Sequence, residues 1–281
     1  MRRGGRRRAR APGPEVLQPA YVLHQWDWSE TSLILDLFTR GQGRVAAVAK
    51  GAKRPYSQLR PVLVSFQRLQ VQLGKSKAEE GSDILGLRSA EYAGGGVVLS
   101  PSRLMAGFYC NELLLKLLAR NDPHERLFDA YAGTLASLST PGLAVDEEAA
   151  ALRAFELLLL RDTGVLPELD RATASQTPVD DTGRYRLRPE AGLVDVGGVE
   201  ASDDPQLLTG VQCRALQRAL DEGRADALRH AARAALPALR GQLRALLHYH
   251  LGSTPLRTRA LMLDLRRLLG DASPPSPNGS P

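Results

Sequence analysis

Five short runs rich in branched and aromatic residues follow one another in the first third of the chain: AYVLHQW at 20–26, SLILDLFT at 32–39, RVAAVA at 44–49, LVSFQRLQVQL at 63–73 and DILGLRSAEY at 83–92. Their lengths and partial apolar–polar alternation predict β-strands. Gly41-Gln42-Gly43, between the second and third, is a hairpin signal, because glycine accepts the positive φ of a tight turn. The other connections are 27–30, a long segment at 51–61, and 74–81. Five strands in about 75 residues match an OB-fold barrel, which closes most of its sheet on itself. An SH3-like barrel has a similar strand count.

At Gly94-Gly95-Gly96 the pattern changes, and most of the remaining chain is helical. Ser100-Pro101 predicts an N-cap with proline at the first helical position, opening a helix through Leu118. Asp122-Pro123 repeats the device, with Glu125 as a capping-box partner and an end near Leu138. Asp146 opens a third helix, with acids in its first turn and Gly164 after its last. Prolines 167, 178 and 189 then mark turns, with a small hairpin expected from 184–188 and 192–196. Helices resume at 206–220 and 224–251, Pro237 kinking or dividing the latter, and Thr254-Pro255 opens a last helix that closes at Gly270. The expected fold is therefore α+β in two domains. A disordered basic arm (1–17) precedes a five-stranded OB barrel (18–95), a mainly helical domain (96–270) with a small irregular insert (165–200), and a tail (271–281).

Charge is distributed unevenly. Six arginines lie in the first ten residues, so the remaining 271 carry 31 cations against 31 acids. Within that neutral remainder, residues 37–78 contain nine cations and no acid: Arg40, Arg44, Lys50, Lys53, Arg54, Arg60, Arg68, Lys75 and Lys77. Strand-like residues and Phe38, Tyr56 and Phe66 are interleaved with them, which predicts a folded basic surface suited to a polyanion. Gly51-Ala52-Lys53-Arg54-Pro55-Tyr56 sets two cations and an aromatic on one loop, offering charge to phosphates and a ring to a base. Of Trp26 and Trp28, one is expected to pack.

Other chemistries find little support. The two cysteines, Cys110 and Cys213, lie in separate helices with no CxxC or Cys/His cluster, disfavouring a disulfide framework or a zinc site. Asp27, Glu30 and Asp36 are close in sequence but lack companion ligands. They read as loop solvation, a structural hydrogen bond and a hairpin charge. His248 and His250 suit a helix C-terminus. No nucleophile–base–orienter set or phosphate loop can be assembled, and no cofactor is implied. No apolar run reaches membrane-spanning length, so a soluble protein in a reducing compartment is expected.

The segment YVLHQWDWSETSLILDLFTRGQGRVAAVAKGAKR, beginning at Tyr21, resembles the bacterial RecO family of recombinational-repair mediators, with its SETSL strand entry, FTxxxGRV hairpin and AKGAK basic loop. LRSAEY (87–92), NELL (111–114), FELLLL (155–160) with Gly164, PVDDT (178–182) and PLRTRALM (255–262) follow in the family's order. The resemblance implies an N-terminal OB fold, a helical C-terminal domain and a non-catalytic role in the cytoplasm at the nucleoid. That role is to bind single- and double-stranded DNA, anneal complementary strands, engage RecR and the acidic tail of the single-stranded-DNA-binding protein, and help load RecA. It places DNA contacts at Arg44, Lys50, Lys53 and Arg54; charge and alternation add Arg40, Arg60, Arg68 and Arg88, and the loop aromatic adds Tyr56. Leu127, Phe128, Tyr131 and Arg153 are candidates for the partner tail. Many relatives carry a four-cysteine zinc ribbon after the third helix; residues 168–199 hold no cysteine and read as a metal-free remnant. Two other classes stay open on the residues: a protein adaptor without DNA affinity, and a metal-dependent nuclease.

Overall fold

A computed structural model describes residues 17–75, 84–94, 97–197, 204–252, 256–258, 260–261 and 264. The basic arm up to residue 16, Lys77, the Thr254-Pro255 helix start and the tail lie outside them. All five expected strands form: β1 (Gln18–Asp27), β2 (Leu33–Thr39), β3 (Gly43–Ala49), β4 (Leu69–Lys75) and β5 (Leu85–Tyr92). They close a barrel in the order β1-β2-β3-β5-β4, every pair antiparallel except β3 beside β5. This is an OB-like barrel. Val22, Leu35, Leu37, Val45, Ala47 and Val71 alternate inward to fill it.

The fourth strand is shorter than its apolar run. Residues 63–68 stay outside the sheet because a turn ending at Leu63, whose N–H donates to the Leu59 carbonyl, and the positive φ of Phe66 interrupt the extended backbone. Leu63 enters the barrel interior, while Phe66 points into the helical core with a positive φ of 69°. Gly107 of the first helix makes room for that ring, since a Cβ there would lie 2.9 Å from it.

The helical part contains α1 (Pro101–Leu117), α2 (Glu125–Leu138), α3 (Val145–Asp162), α4 (Gly210–Glu222), α5 (Ala225–Ala234) and α6 (Leu236–Leu251). Pro101 opens α1 as expected, but the Ser100 hydroxyl bonds that of Ser102 (3.0 Å) and leaves the backbone uncapped. Pro237 marks the start of α6 rather than a kink. Two helix starts differ from expectation. Helix α2 begins at Glu125 because residues 120–122 dock on the barrel: Asn121 N–H donates to the Arg44 carbonyl (2.9 Å), and the Asp122 carbonyl sits over Gly43. A Cβ on Gly43 would meet that oxygen at 1.7 Å, so glycine is required by contact as well as by its φ of 68°. Helix α4 begins at Gly210, with Thr209 and Gln212 forming a capping box, because Leu208–Thr209 act first as strand β8.

The expected hairpin is present as β6 (Arg184–Arg188) and β7 (Gly192–Asp195), and β8 completes a sheet in the order β7-β6-β8. Tyr185, Leu187, Leu193 and Leu208 belong to the same core as the helices. The cysteine-free insert is thus tied down by apolar burial and by bonds such as Leu187 N–H to Gln242 Oε1 (2.7 Å), and its third strand comes from beyond residue 200.

Helices α1 and α2 cover the outer face of β1–β2–β3. Tyr21 and Phe38 stack into α2, with ring centroids 5.3 and 5.4 Å from Phe128. Tyr131 donates to Asn111, which donates to the Leu23 carbonyl at 3.0 Å. Through Tyr21, Leu23 and Phe38 the barrel's outer wall belongs to the helical core.

Candidate nucleic-acid interface

The covering of one barrel face sorts the expected cations into three groups. Arg40 and Arg44, near the β2–β3 hairpin, are taken up by the helical domain. Arg44 donates from Nε to Asp36 Oδ1 (2.9 Å) and from Nη1 to the carbonyls of Leu115 and Leu118 at the end of α1. Its partner Asp36 is 1% exposed and also meets Arg120 at 3.4 Å. A buried carboxylate needs such pairing. Asp36 is therefore an interdomain anchor rather than a hairpin charge, and it is separated from Asp27 and Glu30, which sit at the other end of the strands. Arg40 reaches across to Glu125 (2.6 Å) and Asp129 (3.1 Å), whose charges and hydrogen bonds raise its pKa.

The second group lies at the opposite barrel end. Strand register aligns Trp26, Ile34 and Val48 across β1–β2–β3, and just beyond them the β1–β2 loop (28–32) meets the long β3–β4 connection (50–68). Lys50, Arg54 and Arg60 are exposed on that connection, with no hydrogen bond or ion pair from their side chains among the described residues. Tyr56, between the two arginines, is 95% exposed. Lys53 fastens the two loops together: its ammonium meets Asp27 (3.0 Å) and the Ser29 carbonyl (3.2 Å), and its N–H donates to the Thr31 carbonyl. Both tryptophans stand here and both are exposed, contrary to the expectation that one packs; Trp26 leans edge-on against His24, ring centroids 4.5 Å apart.

Arg68 and Arg88 form no cluster with these. The pairing of Leu69 with Ala20, and of Ala20 with Thr39, puts Arg68 at the hairpin end. Arg88 is exposed on β5, its side chain lying over the backbone of Gly74. The structure thus gathers Lys50, Lys53, Arg54, Tyr56 and Arg60, and separates Arg40, Arg44, Arg68 and Arg88 from them. The sequence reading named both tryptophans without choosing between them and did not foresee the groove below the connection, for which the signal was the loss of apolar alternation at 63–66.

Leu127, Phe128 and Tyr131 cannot meet a partner as expected. They are at most 1% exposed and form the floor on which the barrel packs, so their apolar character serves the core. Arg153 turns to the fully buried Glu156, which also accepts from the Tyr109 hydroxyl at 2.6 Å. Burial raises the Glu156 carboxyl above its ordinary value, although Arg153 and Tyr109 pull it down. The cysteines are buried, with the Cys213 thiol pushed up to about 12 and that of Cys110 also raised, so neither is poised as a thiolate. Among the described residues no three His, Cys, Asp or Glu side chains are grouped to hold a metal, and no helix is long and apolar enough to cross a membrane.

An OB-like barrel with a cationic, aromatic loop end, built onto a helical domain by its opposite end and outer wall, defines the class. The Recombination protein O N-terminal model matches residues 14–91 and the C-terminal model residues 99–260. The DNA repair protein RecO of Acidovorax ebreus (strain TPSY) is 51% identical over 259 residues, covering 89% of this chain and 97% of its own length. Those of Variovorax paradoxus (strain S110) and Polaromonas sp. (strain JS666 / ATCC BAA-500) are 50% and 49% identical, covering 89% of this chain and 96% and 97% of their own. The chain belongs to the RecO family of DNA repair proteins.

Proposed function

We propose that this chain binds single- and double-stranded DNA at the loop end of its barrel and anneals complementary strands there. The observation that carries this reading is the trio Lys50, Arg54 and Arg60, exposed and unpaired among the described residues, beside a 95% exposed Tyr56. Three such cations neutralise phosphates without first giving up a protein partner, and counterion release makes the binding favourable and salt-dependent. Complementary strands repel through their phosphates. Neutralising several of them lowers that barrier while bases remain free to pair, so annealing needs no nucleotide hydrolysis and no catalytic side chain. Lys53, held by Asp27, shapes the loop and adds charge at its edge. Arg40 and Arg44 are structural in this scheme, and Arg68 and Arg88 stand outside it. Engagement of RecR and of the single-stranded-DNA-binding protein, with assistance to RecA loading, accompanies this role in the cytoplasm; the tail-binding surface is somewhere other than Leu127, Phe128 and Tyr131.

A fluorescent single-stranded oligonucleotide titrated at several salt concentrations tests the proposal. Each neutralised phosphate contributes about −0.7 to the slope of log affinity against log salt, so replacing Lys50, Arg54 and Arg60 by alanine should flatten the slope by about 2. Removal of residues 1–15 should leave most of it. A flat slope in the unaltered protein would favour the adaptor without DNA affinity, and magnesium-dependent strand cleavage would favour the nuclease.

A further inference from the structure

Beneath the β3–β4 connection a groove of about 720 Å3 runs between the barrel and the start of α1. Its floor is apolar, with Leu63, Phe66, Leu104 and Phe108, and Val64 and Val98 rise along its sides. Several of these residues are open to solvent: Val98 is 81% exposed, Val64 48% and Phe108 40%. Phe108 meets Phe66 edge-on at 5.0 Å, so its outer surface is held in place by a packed neighbour. Among the described residues the charged groups lining the groove are Lys53 and Arg60, and no Asp or Glu lines it. Lone exposed apolar side chains are ordinary, but a mainly apolar groove, with Gln25, Ser65 and Gln67 as its uncharged polar lining and with Arg60, unpaired among the described residues, beside Lys53, itself held by Asp27, has the makings of a ligand site.

We infer that this groove seats unpaired bases of single-stranded DNA. The inference rests on the DNA-binding reading above and adds strand selectivity to it. The charge complement calls for an anion, and the floor calls for an apolar face on the same molecule. A single strand supplies both, because its phosphates can follow Lys50, Arg54 and Arg60 while an unstacked base turns its flat face onto Phe108 and the aliphatic floor. A duplex supplies only the phosphates, since its bases are stacked inside. Tyr56 and Trp28, 95% and 55% exposed at the same barrel end, extend the aromatic surface beyond the groove and favour a nucleic acid over an acidic amphipathic peptide. The groove's size limits it to a few bases, so the rest of a bound strand stays available for pairing.

The test compares the full-length protein with Val98→Asp and Phe108→Ala on three probes: a single-stranded oligonucleotide, the same oligonucleotide with a central run of abasic sites, and a duplex with equal phosphate number. Val98 is so exposed that its replacement leaves the fold intact, which keeps the test decisive if Phe108→Ala disturbs the Phe66 pair. Phe108→Ala should weaken single-strand binding about tenfold, leave the salt slope and duplex binding unchanged, and reduce the advantage of the natural over the abasic strand, while Val98→Asp, whose carboxylate also repels phosphates, should weaken single-strand binding by more than duplex binding and likewise reduce that advantage. Steep, salt-dependent binding unaffected by either variant would overturn the groove while leaving the DNA-binding proposal intact. Absence of salt-sensitive binding in the unaltered protein would overturn both. An acidic amphipathic peptide whose binding is lost with Val98→Asp, while single-strand affinity holds, would reassign the groove to a protein partner.

Discussion

Arg44 and Arg54 lie ten residues apart in one acid-free stretch, yet their surroundings are opposite. Around Arg44 the barrel wall is covered: Asp36 and two carbonyls at the end of α1 occupy its guanidinium, which is 15% exposed. Around Arg54 the wall is bare, and the side chain projects from a loop with an open tyrosine two residues on. One charge is spent on holding two domains together; the other remains available to a polyanion. The role of an arginine here is set by the groups opposite it, and the density of cations along the chain does not reveal which arginine has them.

The largest expected effects disrupt the covered region. Phe128→Ala removes the ring on which Tyr21 and Phe38 pack and should cost about 4 kcal/mol in urea denaturation. Arg44→Ala should cost about 3 kcal/mol, because Asp36 stays buried with Arg120 as its remaining cation. If either variant unfolds at the midpoint of the unaltered protein, the barrel and helices are not joined through these contacts. At the loop end, alanine at Lys50, Arg54 and Arg60 together should move stability by no more than about 0.5 kcal/mol while removing most of the salt-dependent DNA affinity. Folded Arg44→Ala should do the reverse, keeping its DNA affinity. A common loss of affinity in both would erase the distinction between the two regions.

Smaller shifts are expected where the barrel meets α2 through exposed pairs and inside the helical domain. Arg40→Ala breaks exposed ion pairs, and its melting temperature should fall by much less than that of Arg44→Ala. Glu156 gives a dependence on pH. Because its carboxyl is raised in the native state by burial, the folded protein holds that proton more tightly than the unfolded chain. The resulting stability is present below about 4.5, the ordinary value, and is lost as pH rises through the native one. Glu156→Gln keeps acceptors for Tyr109 and Arg153 without that titration. Relative to the variant, the unaltered protein should therefore lose stability on going from acid to neutral pH, as read from urea midpoints; parallel profiles would show that Glu156 does not titrate differently on folding.

Much of the architecture was legible because it depends on local pattern. Strand runs at 20–26, 32–39 and 44–49 became β1 to β3, and Ser100-Pro101 and Asp146 marked helix starts to within a residue. The failures share a cause. Residues 63–68 left the sheet where Phe66, at a positive φ, turns into the helical core, and α2 started late because its leading residues hold Arg44 and Gly43 of the barrel. Tertiary contacts outweighed weak local preferences in both cases. The expected partner residues failed differently: an apolar stripe on a helix reads the same whether it meets a peptide or the protein's own barrel.

That a small barrel precedes a helical domain, and that cations gather in the barrel without acids, is contained in the sequence alone, because strand period, helix caps and charge are properties of neighbouring residues. Which of those cations are free was settled by the tertiary structure. Leu115, Leu118, Glu125 and Asp129, 70 to 90 residues downstream, occupy Arg44 and Arg40 and leave Lys50, Arg54 and Arg60 to solvent, and Coulombic pairing depends on distance in space.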